Sequence, residues 1–231
     1  MLVTGASRGI GRAIVDAVMA EGATVVGIAR VFDQALFARE RFEPVEQDLA
    51  DLDRLPVALK ALHQRFPKID TLVCNAGFGR FGALEEFSAQ QIRALIDLNL
   101  TSQILLVRQF LPALKRRGYG DIILMGSEAA LAGGKRGAVY SATKFALRGF
   151  AQSLREECAG SKIRVTVINP GMVDSPFFET LSFRPDEADD CHLCVEDVAE
   201  AVLFVLSARS GSCIDEVNLS PQKKVIRFGP K

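Results

Sequence analysis

The chain is poor in the residues that several kinds of chemistry need. It has no tryptophan and only two histidines, His63 and His192, in 231 residues. Histidine is the usual metal ligand and general base, so sites built on it have little to draw on. The five cysteines, at 74, 158, 191, 194 and 213, are scattered. Cys191-His-Leu-Cys194 is a lone C-x-x-C. A zinc site wants a second ligand pair at suitable spacing, and a haem-attachment motif wants its histidine after the second cysteine, not between the two. Free thiols and no metal are therefore expected. Charge of one sign is lacking too: 28 basic residues balance 28 acidic ones. That argues against a nucleic-acid or anionic-membrane partner. No apolar run reaches 18 residues, so no membrane-spanning helix is expected. No repeat or low-complexity tract occurs. Met1 leads straight into an apolar stretch without a charged-then-apolar leader, and the expectation is a soluble, cytoplasmic protein.

What is present is a large apolar fraction, 48%, and an alternation of element types. Strand-like runs recur near 1–4, 23–28, 43–46, 69–74, 120–126, 163–168 and 214–219. Helical periodicity lies between most of them, near 9–21, 51–66, 90–115, 138–159 and 195–208. Strands alternating with helices imply an α/β fold with a parallel sheet covered on both faces. Right-handed crossovers make it doubly wound, a Rossmann architecture of about seven strands. The length suits one domain, residues 1–231.

The first turn carries chemistry. Gly5, Gly9 and Gly11 are spaced G-x-x-x-G-x-G, and Ile10, Ile14 and Val18 then recur every four residues. This is a strand, a tight turn and a helix. The helix N-terminus offers unpaired N–H groups and partial positive charge to a phosphate, and glycine lets the backbone approach closely. The spacing is not the usual G-x-G-x-x-G fingerprint. Gly5-Ala-Ser-Arg-Gly9 also fits the nucleophile elbow G-x-S-x-G, which would make Ser7 a hydrolase nucleophile. That alternative needs earlier strands and a histidine after an acid. Only six residues precede Ser7.

A second constellation lies downstream. The apolar run Gly120–Gly126 reads as a buried strand ending at Ser127, where open α/β sheets bind their ligands. Tyr140 and Lys144 stand at i and i+4 of a helix over 138–158 and share one face. A tyrosine needs about three units of pKa depression to reach neutrality, or ~4 kcal/mol. A cation ~4 Å away supplies that only at an effective dielectric near 20, in a site largely shut from water. Tyr140 would then trade a proton with a carbonyl or alcohol oxygen that Ser127 also holds.

With these residues the chain resembles the short-chain dehydrogenases/reductases over nearly its whole length. Thr4 to Gly11 is similar to that family's T-G-x-x-x-G-x-G turn. Asn75-Ala76-Gly77 resembles its N-A-G segment, Pro170-Gly171 its P-G turn, and Asp48-Leu49 its adenine-contacting pair. The resemblance implies strand order 3-2-1-4-5-6-7 and catalysis by Asn99, Ser127, Tyr140 and Lys144. It gives Lys144 a second role on the nicotinamide ribose and Asn99 a water in a proton relay. Cofactor contacts are implied for Gly5, Ser7, Arg8, Gly9, Ile10, Gly11, Arg30, Asp48, Leu49, Asn75, Ala76, Gly77, Tyr140, Lys144, Pro170, Gly171, Val173 and Ser175. Cys74 and Ser175 depart from the common asparagine and threonine. A homotetramer, or a homodimer, is implied, with the helices near 90–115 and 138–159 between subunits.

The second strand ends at Ala29-Arg30, where NAD-binding folds place an acid for the ribose 2′-hydroxyl. With no acid there, Arg30 and Arg8 are candidates for a 2′-phosphate, and the expected cofactor is NADP. Residues 176–194 follow the P-G turn as a substrate lid with Phe177, Phe178, Leu181 and Phe183 on its inner face. The function expected is oxidoreduction between a small carbonyl compound and its secondary alcohol. An NADPH-binding sensor without turnover is the other alternative; the intact Ser127, Tyr140 and Lys144 argue against it.

Overall fold

A computed structural model describes residues 1–229 of the chain. The elements, in chain order, are β1 (Leu2–Thr4), α1 (Gly9–Ala20), β2 (Val25–Ala29), β3 (Phe42–Glu46), α2 (Leu55–Arg65), β4 (Thr71–Cys74), α3 (Ala89–Ile96), α4 (Ser102–Arg117), β5 (Gly120–Met125), α5 (Ala138–Cys158), β6 (Ile163–Pro170), β7 (Phe183–Pro185), α6 (Val195–Ser207), β8 (Glu216–Leu219) and β9 (Ile226–Phe228). Seven strands form one parallel sheet in the order β3-β2-β1-β4-β5-β6-β8. The seventh place is filled by the eighth strand of the chain, because a separate antiparallel pair, β7–β9, intervenes.

The inner strands are apolar at nearly every position because both faces of the sheet are covered. Side chains alternate between the two faces, and two cores result. Leu2, Val26, Ile28, Leu72, Cys74, Ile122 and Leu124 face one way, against Leu59 of α2, Phe110 and Leu114 of α4 and Leu147 of α5. Their neighbours Val3, Val25, Val73, Ile123 and Met125 face the other, against Ile14 and Val18 of α1 and Val198 and Val202 of α6.

β1 pairs with both β2 and β4, so the strand order reverses beside it. Crevices at such a reversal, at the carboxyl ends of strands, are where open sheets bind ligands. Thr4, Ala29, Cys74, Met125 and Pro170 all end their strands on this edge.

Three local features differ from the periodicity. The helix expected over 90–115 is α3 and α4 joined by a π-turn, Asp97–Thr101. α2 begins at Leu55, with Pro56 in its first turn, not at 51. The weakly periodic segment 176–194 holds the strand β7, and its partner β9 has no counterpart in the apolar runs. Both strands are only three residues long and pair across more than forty positions, Phe183 with Phe228, beyond the reach of local patterns.

The packing of α1 against the first turn depends on Gly11. A Cβ there would stand 2.2 Å from the carbonyl oxygen of Gly5 and 2.6 Å from Asn75 Nδ2. The first of these is backbone and cannot swing away. Gly11→Ala should destabilise the ligand-free protein by about 3 kcal/mol or more; a denaturant midpoint equal to the parent's would show that the turn relaxes freely.

Candidate active site

Thr4 ties the first turn to the end of β4. Its Oγ1 accepts hydrogen bonds from the backbone N–H of Asn75 and of Ala76, each at 2.9 Å, and the Asn75 side chain donates to the Thr4 carbonyl at 2.9 Å. Gly5, at φ +68°, lies so close that a Cβ would be 2.8 Å from Asn75 Nδ2. Gly9 is also left-handed, at φ +57°. Arg8 occupies the N-cap position of α1 without a side-chain cap, and no acid lies in the first helical turn. The result is a bare, positively polarised main chain at the sheet edge, flanked by half-buried Ser7 and Ile10. The sequence-expected residues Gly5, Ser7, Arg8, Gly9, Ile10, Gly11, Asn75, Ala76 and Gly77 thus lie on one edge of the sheet, at the carboxyl ends of β1 and β4.

Ser127, Tyr140 and Lys144 converge beside it. Ser127 follows β5; its N–H donates to Asn169 Oδ1 at 3.2 Å and its hydroxyl accepts from the Ala129 N–H at 3.2 Å. Tyr140 and Lys144 rise from the first turns of α5, and both are buried. The Lys144 ammonium donates to the Met125 carbonyl at 2.9 Å and sits 5.7 Å from the centre of the Tyr140 ring. It also lies 3.9 Å from where a Cβ on Gly77 would be, and Asn99 Oδ1 lies 3.0 Å from the same point, so glycine leaves the room there. Asn99 lies in the π-turn, a feature common at functional sites. Its side-chain amide brackets Phe78: Nδ2 donates to the Phe78 carbonyl at 2.9 Å, and Oδ1 accepts the Phe78 N–H at 3.0 Å. Nδ2 also reaches Thr143 Oγ1 at 3.4 Å. The amide therefore fixes the loop after β4 against α5.

The electrostatics correct one expectation. Proximity alone predicts that Lys144 draws the phenol toward neutrality. Burial instead pushes Tyr140 up to about 12, opposed by a hydrogen bond to Ser127 and reinforced by the Glu128 carboxylate. Burial pulls Lys144 down to about 8. The reason is that desolvation penalises both charged forms, while the ammonium is bonded to a carbonyl rather than to the phenol. Tyr140 is thus held protonated across the neutral range, as a proton donor must be.

An aromatic cover produces that burial. Phe81 packs 5.1 Å from the Tyr140 ring and Phe177 6.1 Å from it. Phe183 stands edge-on to Phe81 at 4.9 Å, and Phe178 contacts both Phe177 and Phe183. Phe177, Phe178 and Phe183 of segment 176–194 thus pack with one another and with Phe81 and Tyr140. The segment starts over the glycine turn, where Pro176 Cδ and Ser175 Cβ lie 3.5 and 3.8 Å from a Cβ built on Gly9. Glu179 of the same segment forms a 2.8 Å ion pair with Arg8.

The remaining expected residues flank the crevice. Arg30 is exposed just past β2 and Ala29 is buried at its end. Asp48 is exposed and caps the following turn through the Ala50 N–H at 2.9 Å, while Leu49 is buried in the core. Gly171 donates its N–H to the Leu219 carbonyl at 2.8 Å, and Val173 bridges to Leu193. Periodicity passed over Phe81, Thr143 and Asn169. Asn169 directly precedes the P-G turn, and its Oδ1 would be 2.0 Å from a Cβ on Gly126, which is why glycine precedes Ser127. The hydrolase alternative fails on placement. His63 packs on Phe110, the His192 ring lies against the Asp186 carbonyl, and among the described residues no hydrogen bond or ion pair links either to Ser7.

Comparison with known proteins places the chain in a family. The family model for short chain dehydrogenases matches residues 1–185. An uncharacterized oxidoreductase of Staphylococcus epidermidis is 32% identical over 225 residues, 95% of this chain and 96% of that one. Among solved structures, the alcohol dehydrogenase of the archaeon Thermococcus sibiricus, complexed with 5-hydroxy-NADP, is similar at a TM-score of 0.85 and 27% identity, covering 97% of each chain. The closed form of serine dehydrogenase complexed with NADP+ is similar at 0.82 and 27%, covering 94% of this chain and 93% of that one. The chain is an oxidoreductase that belongs to the short-chain dehydrogenase family.

Proposed function

We propose that this protein is a cytoplasmic NADP(H)-dependent enzyme that interconverts a small carbonyl compound and its secondary alcohol. Residues 1–231 form its single dinucleotide-binding domain, and residues 176–194 are the substrate lid. The observation that carries the reading is the meeting of Ser127, Tyr140 and Lys144 beneath an apolar cover, next to a bare glycine turn.

The cofactor fits this chain because Gly5 and Gly11 hold the turn where a Cβ would clash, and the turn presents an uncapped helix N-terminus. Gly5, Ser7, Arg8, Gly9, Ile10 and Gly11 would hold the phosphates. Asp48 and Leu49 would flank the adenine. Asn75, Ala76, Gly77, Pro170, Gly171, Val173 and Ser175 would line the way to the nicotinamide, with Tyr140 and Lys144 on its ribose. When bound, the nicotinamide supplies or accepts the hydride. NADP is favoured by the lack of an acid at Ala29, by exposed Arg30, and by Arg8, whose solvent-exposed pairing with Glu179 is weak and easily exchanged for a phosphate. The similar structures that hold NADP or a derivative point the same way.

In the reduction direction Tyr140, protonated at neutral pH, gives its proton to the carbonyl oxygen. Ser127 donates a hydrogen bond to that oxygen as charge develops on it. Lys144 steadies the phenolate left behind, a charge worth most in a dry site. Asn99 holds the loop bearing Phe78 against α5 and belongs to the relay that returns a proton to Tyr140. The chain assembles as a homotetramer or homodimer through α4 and α5; Phe145 on α5 is 44% exposed in the single chain, as an interface residue would be. Turnover of NADPH on a panel of ketones, aldehydes and hydroxy acids tests the reading. NADPH binding with no turnover on any of them would favour a sensor, and labelling of Ser7 by a fluorophosphonate would favour a hydrolase.

Tyr140→Phe should keep the fold and cofactor binding while lowering the rate by ~10²–10⁴, the usual share of general acid catalysis. Turnover within threefold of the parent's, roughly, would remove Tyr140 from the mechanism.

Lys144 should cost the fold stability. A lysine free in water keeps its proton up to 10.5, whereas Lys144 in the folded chain keeps it only to about 8. Between those values the unfolded state binds more protons, so stability rises with pH, and the penalty is fully present below pH 8. Lys144→Met, which keeps the apolar stem, should therefore be more stable at neutral pH by roughly 1–3 kcal/mol, lose that alkaline rise, and turn over slowly. Urea denaturation at neutral and alkaline pH, alongside rates, checks all three.

Cofactor choice is read from dissociation constants. Arg30→Ala should weaken NADPH by about ten- to a hundredfold, one charge-assisted contact, and leave NADH nearly unchanged. Adding Ala29→Asp, which repels a 2′-phosphate and can bond a free 2′-hydroxyl, should invert the preference. A parent that binds both cofactors equally would overturn the NADP assignment.

A further inference from the structure

After β8 the chain turns back across the site. Pro221 packs on the P-G turn, its Cδ 3.2 Å from a Cβ built on Gly171. Lys224 then pairs with Glu128, the residue after Ser127, at 2.8 Å. Lys223 pairs with Asp190 at 2.6 Å and donates its backbone N–H to the Asp190 carbonyl at 2.7 Å. β9 lies antiparallel on β7, and the ladder extends on both sides: Asp186 N–H donates to the Val225 carbonyl at 3.1 Å and Gly229 N–H to the Ser182 carbonyl at 3.0 Å. Arg227 forms an ion pair with Asp186. Each of these three basic side chains thus grips an acid on segment 176–194 or beside Ser127.

The grip reaches the buried phenol through aromatic contacts. β7 carries Phe183, whose ring stands edge-on to Phe81, and Phe81 lies on Tyr140. Phe183 also braces Phe178, which braces Phe177 beside Tyr140. We propose that residues 221–228 are a clamp that holds the phenylalanine-lined lid shut over Tyr140, so that Arg227 and its strand are positioning elements for the carbonyl substrate. The proposal rests on the reading of Tyr140 as proton donor.

Several weak interactions can do this together. An exposed ion pair contributes little alone, and a lone two-stranded ribbon is marginal. Here the ribbon is joined to the sheet through β8, spans the lid and packs through Phe183 of β7. A break in the ladder should therefore release the lid without unfolding the two cores, to which β7 and β9 contribute no residue.

The composition supplies the probe. The chain has no tryptophan and two tyrosines, so in Tyr119→Phe the only intrinsic fluorophore of note is Tyr140. Acrylamide quenching then measures how far water-borne solute reaches the phenol. Arg227→Pro in this background removes the ion pair and a ladder donor. We expect its quenching constant to rise at least threefold or so over the parent's, with an unchanged far-ultraviolet circular dichroism spectrum. If that variant does not fold, Arg227→Glu serves instead, and Asp186→Arg added to Arg227→Glu should restore the protection. Unchanged quenching in the folded variants, or no rescue by the charge swap, overturns the clamp. Quenching needs no turnover, so a failed carbonyl screen would count against the donor role alone. With any carbonyl compound the parent reduces, Arg227→Pro should raise KM roughly tenfold, about 1.4 kcal/mol of lost binding. It should also move the alkaline limb of kcat/KM to lower pH, because water reaching Tyr140 relieves the burial that raises its pKa. A KM and a pH profile both equal to the parent's would likewise overturn it.

Discussion

The hydroxyl of Thr4 is the small contact on which the site depends. It accepts two backbone N–H groups from the end of β4, and the Asn75 side chain returns the bond to the Thr4 carbonyl. β1 and β4 are the strands between which the order of the sheet reverses. Parallel strands end with unpaired backbone groups, and at the reversal the following segments leave on opposite faces. Thr4 and Asn75 satisfy those groups while keeping the crevice open. Everything laid beside it inherits that position: the two left-handed glycines, the start of α1, and the loop bearing Phe78.

Burial is the second organising force, and it works against charge. Tyr140 and Lys144 lie together out of water, and the two titrations are displaced in opposite senses, the phenol upward and the ammonium downward. Neither charged form is comfortable. Sites that carry chemistry commonly hold groups in environments a stability optimum would avoid. Here the cost falls on one side chain, whose ammonium is held by the Met125 carbonyl. The low dielectric that makes it costly is also what gives its charge leverage on a neighbouring oxygen.

The aromatic cover shows how far local patterns reach. Segment 176–194 is rich in phenylalanine, and its apolar inner face follows from that composition. Its geometry does not. Phe81 comes from the loop after β4 and Phe183 from the lid, far apart in the chain, and the two rings meet only in the assembled fold. β9 alternates apolar and charged residues over only three positions, Ile226, Arg227 and Phe228, all exposed, which is too short a pattern to mark a strand. What makes it one is the ladder offered by β7, a partner that exists only once the lid is in place.

The sequence by itself determined the alternation of helices with the seven strands of the main sheet, their parallel arrangement, the glycine turn and the i, i+4 pairing of Tyr140 with Lys144. These are short-range consequences of periodicity, steric freedom and residue type, and each is set within one element or one turn. Tertiary structure decided what those residues experience. The ammonium of Lys144 bonds Met125 and not the phenol, because β5 brings that carbonyl nearer. The phenol is raised and not lowered, because Phe81 and Phe177 exclude water from it. Asn99 spends its side chain on the Phe78 backbone, because a π-turn swings it there. Desolvation and hydrogen-bond partnership are properties of assembled surroundings, supplied by residues far apart in the chain, and no local pattern encodes them.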